Sequence, residues 1–193
     1  MGASFDLSTP LLLIAMPQVV DPFFHKSVVL LVHHDEEGSL GLIVNRPTEL
    51  PVREILEGME VPWLGRDGVM THFGGPVQPQ LGTVIFDAEP AEVEAANVVA
   101  PGVLISQHVG DLGRLAAEPP ERFRLLLGYA GWGEGQLLEE ILRNDWLTAP
   151  VTAELVFAPG EAAWTGALRS VGVDPASLPA WTPGIPDGQE AAN

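Results

Sequence analysis

Residues 27–47, "SVVLLVHHDEEGSLGLIVNRP", constrain the fold more tightly than any other stretch of the chain. Two runs rich in β-branched and aliphatic residues flank a short acidic turn that contains a glycine, which predicts an antiparallel hairpin. Pro47 closes the second strand and holds Arg46 extended. Further short apolar runs read as strands: "LLLIAMP" (11–17), "GVMTHFGGPV" (68–77), "LGTVIFDA" (81–88), "VLISQH" (103–108), "RFRLLLGYAG" (122–131) and "TAELVF" (152–157). "DPFFHKS" (21–27) interrupts the first pair, with Asp21 before Pro22 as the turn initiator. Helical spacing places Val52, Ile55, Leu56 and Met59 in a helix over 50–59. Further helices are expected over 109–121, 136–144 and 161–173, the last with Trp164, Leu168 and Val171 on one face. Strands and helices alternate irregularly and hairpins dominate early. The expectation is an α+β domain over 1–178, built on a mixed, largely antiparallel sheet, with a Pro/Gly-rich tail over 179–193.

Composition narrows the function classes. With 46% hydrophobic and 18% charged residues the chain has the makings of a packed core. Its apolar runs are too short for a membrane-spanning helix, and no basic region precedes the first of them, so cytoplasmic residence is expected. The absence of cysteine excludes disulfides, thiolate nucleophiles and Cys-ligated metal. Twenty-six acidic residues against nine basic ones give a formal charge of −17. Lys26 is the sole lysine, and of the eight arginines only Arg122 and Arg124 fall close together on one face. A protein that grips duplex phosphates needs a concentrated basic surface, so direct DNA binding is disfavoured.

"GYAGWGEGQLLEEI" (128–141) has the strand–glycines–helix order of a phosphate cradle. It lacks the Lys-Ser/Thr ending and the G-x-G-x-x-G spacing. Glu134, Glu139 and Glu140 would also oppose an anion at that helix start. The simpler reading is a turn whose glycines, Gly128 and Gly131 among them, need positive φ, with Trp132 packed as a plug. In the helix that follows, Leu137, Leu138, Ile141 and Leu142 are expected to face inward and Glu139 to pair with Arg143. His33 and His34 alternate across a strand, so they do not share one metal readily. Ser106 and His108 stand two apart without a nucleophile elbow. No cofactor or metal is expected. In "NRP" (45–47) Arg46 is fixed at a strand end, where its planar fork suits either an anion or a structural carboxylate such as Asp21.

Taken in order, "LIAMP" (13–17), "DPFF" (21–24), "SVVLLVHHDEEGSLGLIVNRP" (27–47), "FGGPV" (73–77), "GYAGWGEGQLLEE" (128–140) with "WL" (146–147), and "ALRSVGVDP" (167–175) resemble the YqgE/AlgH family. The resemblance implies a bacterial cytosolic protein with a strongly bent, partly barrel-like mixed sheet. It brings no catalytic residue. One branch of that family carries a transcriptional-regulator label, which the acidity of this chain puts in question.

Two function classes follow. One is a non-enzymatic protein, regulatory in character, acting through a protein partner or a small ligand. The other is an enzyme or nucleotide-binding protein with a cleft near the NRP, GGP and GYAGW segments. Asp21, Asn45, Arg46, Gly74, Gly75, Gly131, Trp132 and Gln136 are the candidate binding residues, and none is assigned a catalytic role. The charge distribution predicts no measurable binding to duplex DNA near physiological salt. Submicromolar, salt-sensitive affinity in an anisotropy titration would refute this.

Overall fold

The computed structural model describes residues 7–88 and 93–179. The tail expected over 179–193 lies outside the described residues apart from Pro179. The hairpin forms as expected: β2 (Val28–Asp35) and β3 (Gly38–Ile43) pair antiparallel from Val29↔Ile43 to Asp35↔Gly38. The Asp35 carboxylate fastens the turn by accepting from the amides of Glu37 (2.8 Å) and Gly38 (3.1 Å). β1 (Leu11–Ala15) lies against the other edge of β2. Leu12, Ile14, Val28 and Leu30 enter one core, while Leu13, Ala15, Val29 and Leu31 enter a second. A strand covered on both faces needs apolar residues at every position, which is why these runs do not alternate.

The remaining elements are β4 (Pro47–Pro51), α1 (Val52–Gly58), β5 (Met70–Phe73), β6 (Val77–Phe86), β7 (Asn97–Ala100), β8 (Val103–Ser106), α2 (Val109–Ala117), β9 (Phe123–Gly133), α3 (Gln136–Leu142), β10 (Trp146–Ala149), α4 (Ala153–Val156) and α5 (Gly160–Ser170). The strands form one curled sheet in the order β10-β1-β2-β3-β9-β6-β8-β7, with β4 and β5 branching from β9. All pairs are antiparallel except β5 with β9.

Two expectations are corrected at the C-terminal end. "TAELVF" is not a strand; it holds helix α4, and the strand is the preceding "WLTA". Pro150 stops β10, and Thr152 then caps α4 by accepting from the Leu155 amide (3.3 Å). A capped start outweighs the β propensity of Val156 and Phe157. Buried Arg124 secures this segment, donating to the carbonyls of Val44 (2.6 Å), Val156, Phe157 (2.7 Å) and Ala158 (3.0 Å). Burial lowers its pKa to about 10, so it stays cationic at neutral pH. Arg122 instead reaches Asp87 at 3.4 Å, so the two arginines form no common basic surface.

The glycine-rich stretch is also corrected. It is not a loop after β9 but mostly β9 itself, which continues to Gly133. Along one edge β9 changes partner. Ala130–Gly133 pair with β3, whereas Leu126 and Leu127 pair with β5. Gly74 fills the join: its carbonyl accepts from the Ile43 amide (2.8 Å), and its amide donates to the Leu127 carbonyl (2.8 Å). Gly128, at φ +73°, sits at the change of partner. A Cβ on Gly128 would lie 2.3 Å from the Gly75 carbonyl oxygen, and one on Gly74 would lie 2.2 Å from that of Gly128. Gly131 differs, because its backbone is ordinary strand paired with Leu40. A Cβ there would meet nothing closer than the Tyr129 ring at 3.5 Å.

The expected destabilisation therefore belongs to Gly128 and not to Gly131. Gly128→Ala should cost at least about 2 kcal/mol, since a left-handed backbone penalty adds to the carbonyl clash. Gly131→Ala, at an exposed strand position, should stay within about 0.5 kcal/mol of wild type. Urea denaturation midpoints of the two variants check the contrast.

Candidate functional site

β9 ends by burying Trp132, and Gly135, at φ +70°, turns the chain into α3. Gln136 at the head of α3 accepts from the Gly133 amide (3.1 Å). One helical turn later on the same face stands Glu140, whose Oε1 accepts from the Gln136 side-chain amide (2.9 Å). Its Oε2 accepts two indole N–H groups, from Trp132 and from Trp146 at the start of β10, both at 2.8 Å. One carboxylate thus joins β9, α3 and β10. The two indoles meet edge to face, with centroids 5.9 Å apart and planes at 82°. Phe24 completes an aromatic corner, 5.8 Å from Trp146 at 85° and 6.3 Å from Trp132. Asp21 positions Phe24: its Oδ1 accepts from the Phe23 amide (2.8 Å) and its carbonyl from the amides of Phe24 and His25.

Between the segment Gln18–Asp21 and this aromatic unit lies a cavity of about 390 Å³. Gln18 spans one side by donating to the Asn144 carbonyl. Asp21, Glu140 and Asp145 bring negative charge to the walls, and Arg143 brings positive charge. Arg143 is engaged, however. Its Nε (3.1 Å) and Nη2 (2.7 Å) both donate to Asp145, and that hydrogen bond and charge raise its pKa. This two-point contact replaces the expected pair with Glu139. On the inner side of α3, Leu137 is buried and Leu138 and Ile141 pack against the core, but Leu142 is 69% exposed, contrary to expectation.

Asp21, Gly131, Trp132 and Gln136 therefore line one cavity, and Asn45, Arg46, Gly74 and Gly75 are not among its walls. Asn45 is a buried clasp that accepts from the Val28 amide (2.8 Å) and donates to the carbonyls of Lys26 (3.0 Å) and Gly160 (3.1 Å). Arg46 is half-buried and donates to the carbonyls of Pro22 (3.1 Å) and His25, so its structural partners are carbonyls and not the Asp21 carboxylate. Burial lowers its pKa, and the Asp21 charge acts in the opposite sense. Gly74 and Gly75 are consumed by the chain crossing at β9.

The other candidates disperse. His33 meets Asp35 (2.7 Å) and His34 meets Ser39 (2.7 Å). The Ser106 hydroxyl donates to buried Asp111 (2.8 Å) and accepts from the His108 amide (3.1 Å), which makes it a structural link. Burial pushes the Asp111 pKa up, but the amides of Glu94 and Ala95 and the Ser106 hydroxyl outweigh it and hold the group below its usual range. Burial lowers the His72 pKa to about 4, so that imidazole is neutral at neutral pH. Sequence reasoning missed Phe24, Glu140 and Trp146. The i,i+4 spacing of Gln136 and Glu140 was the readable signal, and nothing local ties either to Trp146.

The AlgH-like family model matches residues 12–176. The chain belongs to that family. Curated relatives include a UPF0301 protein of Myxococcus xanthus, 43% identical over 172 residues, covering 88% of this chain and 93% of the relative. Another, from Cereibacter sphaeroides, is 42% identical over 180 residues, covering 90% of this chain and 96% of the relative. The solution structure of the AlgH protein from Pseudomonas aeruginosa superposes with a TM-score of 0.72 at 33% identity, covering 90% of this chain and 94% of that one. A crystal structure from Corynebacterium diphtheriae has a TM-score of 0.68 at 25% identity, covering 83% and 85%. The curled α+β fold implied by the resemblance is the fold of this AlgH-like chain.

Removing the shared acceptor tests the hub. Glu140→Ala removes two part-buried indole hydrogen bonds to a carboxylate, each worth about 1.5–3 kcal/mol. It should lower the unfolding free energy by several kcal/mol, whereas Glu140→Gln, which keeps an acceptor oxygen, should lose less than half as much. Equal stability of wild type and Glu140→Ala in chemical denaturation would remove Glu140 from this role.

Proposed function

We propose that this AlgH-like chain is a cytoplasmic, non-enzymatic binding protein. It receives a small ligand in the Trp132–Glu140–Trp146 cavity and acts through a partner that responds to occupancy. The observation that carries the reading is the hub itself. A single carboxylate immobilises two indoles on the wall of a concave site of about 390 Å³. That volume falls within the usual range for small-molecule sites. The rival cleft near NRP, GGP and GYAGW is less favoured, because Gly74 and Gly75 pack against the Gly128–Tyr129 backbone and the Arg46 carbonyl accepts from the Phe73 amide, while Gly131 and Trp132 line the cavity proposed here.

Charge supports action through a partner and not through DNA. Lys26 is tied to Glu161, Arg53 to Asp67, Arg114 to Glu94, Arg122 to Asp87 and Arg143 to Asp145, while Arg124 is buried. Cations so neutralised present little field to a polyphosphate. Among the described residues no helix is long and apolar enough to cross a membrane.

A chemically mixed metabolite library, read by thermal shift, tests the proposal. A compound at a hundred times its Kd adds about 2.7 kcal/mol of stability. Stabilisation is expected in wild type and should be much reduced in Gln136→Ala, which alters an exposed wall residue of the cavity. Equal stabilisation of both proteins, or turnover of any stabilising compound, would overturn the reading.

A further inference from the structure

We infer that the cavity takes a small organic cation, a protonated amine or a quaternary ammonium ion. This rests on the binding-protein reading above and adds the ligand class. The first support is the aromatic corner. Trp132, Trp146 and Phe24 stand within 5.8–6.3 Å of one another, and Trp146 is nearly perpendicular to the other two. Ammonium ions are received against aromatic rings, tryptophan the best of them; here partly exposed Phe24 and the cavity side of two otherwise buried indoles supply that wall.

Charge is the second support. Three carboxylates, Asp21, Glu140 and Asp145, face one guanidinium, and Arg143 is already spent on Asp145. The site carries residual negative charge within a chain of formal charge −17, so cations are drawn to it and anions repelled. Glu140 also retains acceptor capacity. Its three hydrogen bonds leave one of the roughly four lone-pair sites of a carboxylate for an ammonium N–H.

Preorganisation is the third support. Both indoles are held on one oxygen before any ligand arrives, so little side-chain freedom is lost on binding. A nucleotide or free phosphate would meet carboxylates with no uncommitted cation on the walls.

The experiment follows the indole N–H signals of the chain's five tryptophans by NMR, assigned by single Trp→Phe substitutions. At constant ionic strength the protein is titrated with choline, with N-acetyl-lysine methylamide, and with inorganic phosphate and AMP. Choline is expected to move the Trp132 and Trp146 signals saturably and leave Trp63 unmoved. The lysine derivative distinguishes a free ammonium ligand from a lysine side chain presented by a protein: tighter binding than choline assigns the cation to the latter source. Asp21→Asn and Phe24→Leu should each weaken choline about fivefold, through loss of one exposed carboxylate and one aromatic face. Affinity unchanged in both variants would mean a diffuse counter-ion and would overturn the inference. Shifts of the same two signals by phosphate or AMP, without any by the cations, would overturn the ligand class while leaving the cavity as a binding site. No shift with any probe would overturn both.

Discussion

The structure depends on a close backbone contact that only glycine permits. Gly74 and Gly75 lie so near Gly128 and Tyr129 that a Cβ on either would fall about 2.1–2.2 Å from β9 backbone atoms. This contact lets β9 exchange β3 for β5 along one edge while β6 runs along the other. The exchange keeps the amide and carbonyl of Gly74 satisfied on both sides. Unpaired buried backbone groups would otherwise cost free energy at the point where three strands converge. The curl of the sheet then carries the end of β9 toward β10, and with it Trp132 toward Trp146.

Glu140 gathers what the curl delivers. Strands β9 and β10 are separated in the sheet by β3, β2 and β1, so no ladder hydrogen bond joins them directly. The carboxylate spans that gap through two indole N–H groups. Bonds to an ionised acceptor are the stronger kind, and a hub satisfied on both oxygens rigidifies its surroundings. Asn45 plays a comparable part on the opposite side of β2, where three backbone contacts join the DPFFHKS turn to the start of α5.

The sequence made some parts legible and hid others for definite reasons. The β2–β3 hairpin could be read because register, turn and hydrophobic pattern are all local. Helix α5 was readable too, with Trp164 and Leu168 buried as its spacing required, but it ends at Ser170, so Val171 is its C-cap and only partly buried against the same core. "TAELVF" misled because six residues carry too little periodicity to separate strand from helix, and a threonine cap starts a helix there. Gly128 read as part of a loop because its purpose, close approach to Gly74 and Gly75, depends on residues more than fifty positions away. The site suffered the same loss. Asp21, Trp132 and Gln136 stand out by residue type, but Glu140 looks like any solvated helix glutamate until Trp146 is brought to it. Asn45 and Arg46 stood out equally, and their polar groups are spent on backbone.

The charge at position 140 separates a structural hub from a binding site. Two indole donors and one amide need acceptors, and neutral oxygens would serve them. An ionised carboxylate adds negative charge beside Asp21 and Asp145, on the wall of a cavity in a chain that is already strongly acidic. Arg143 offsets the charge of Asp145, so a cation entering the cavity would meet chiefly the carboxylates of Glu140 and Asp21. The charge strengthens the three hydrogen bonds of the hub, and on the proposed reading it also faces the cavity. In the proposed cation site one residue would then serve twice, as the acceptor that fixes both indoles and as a negative charge on the wall.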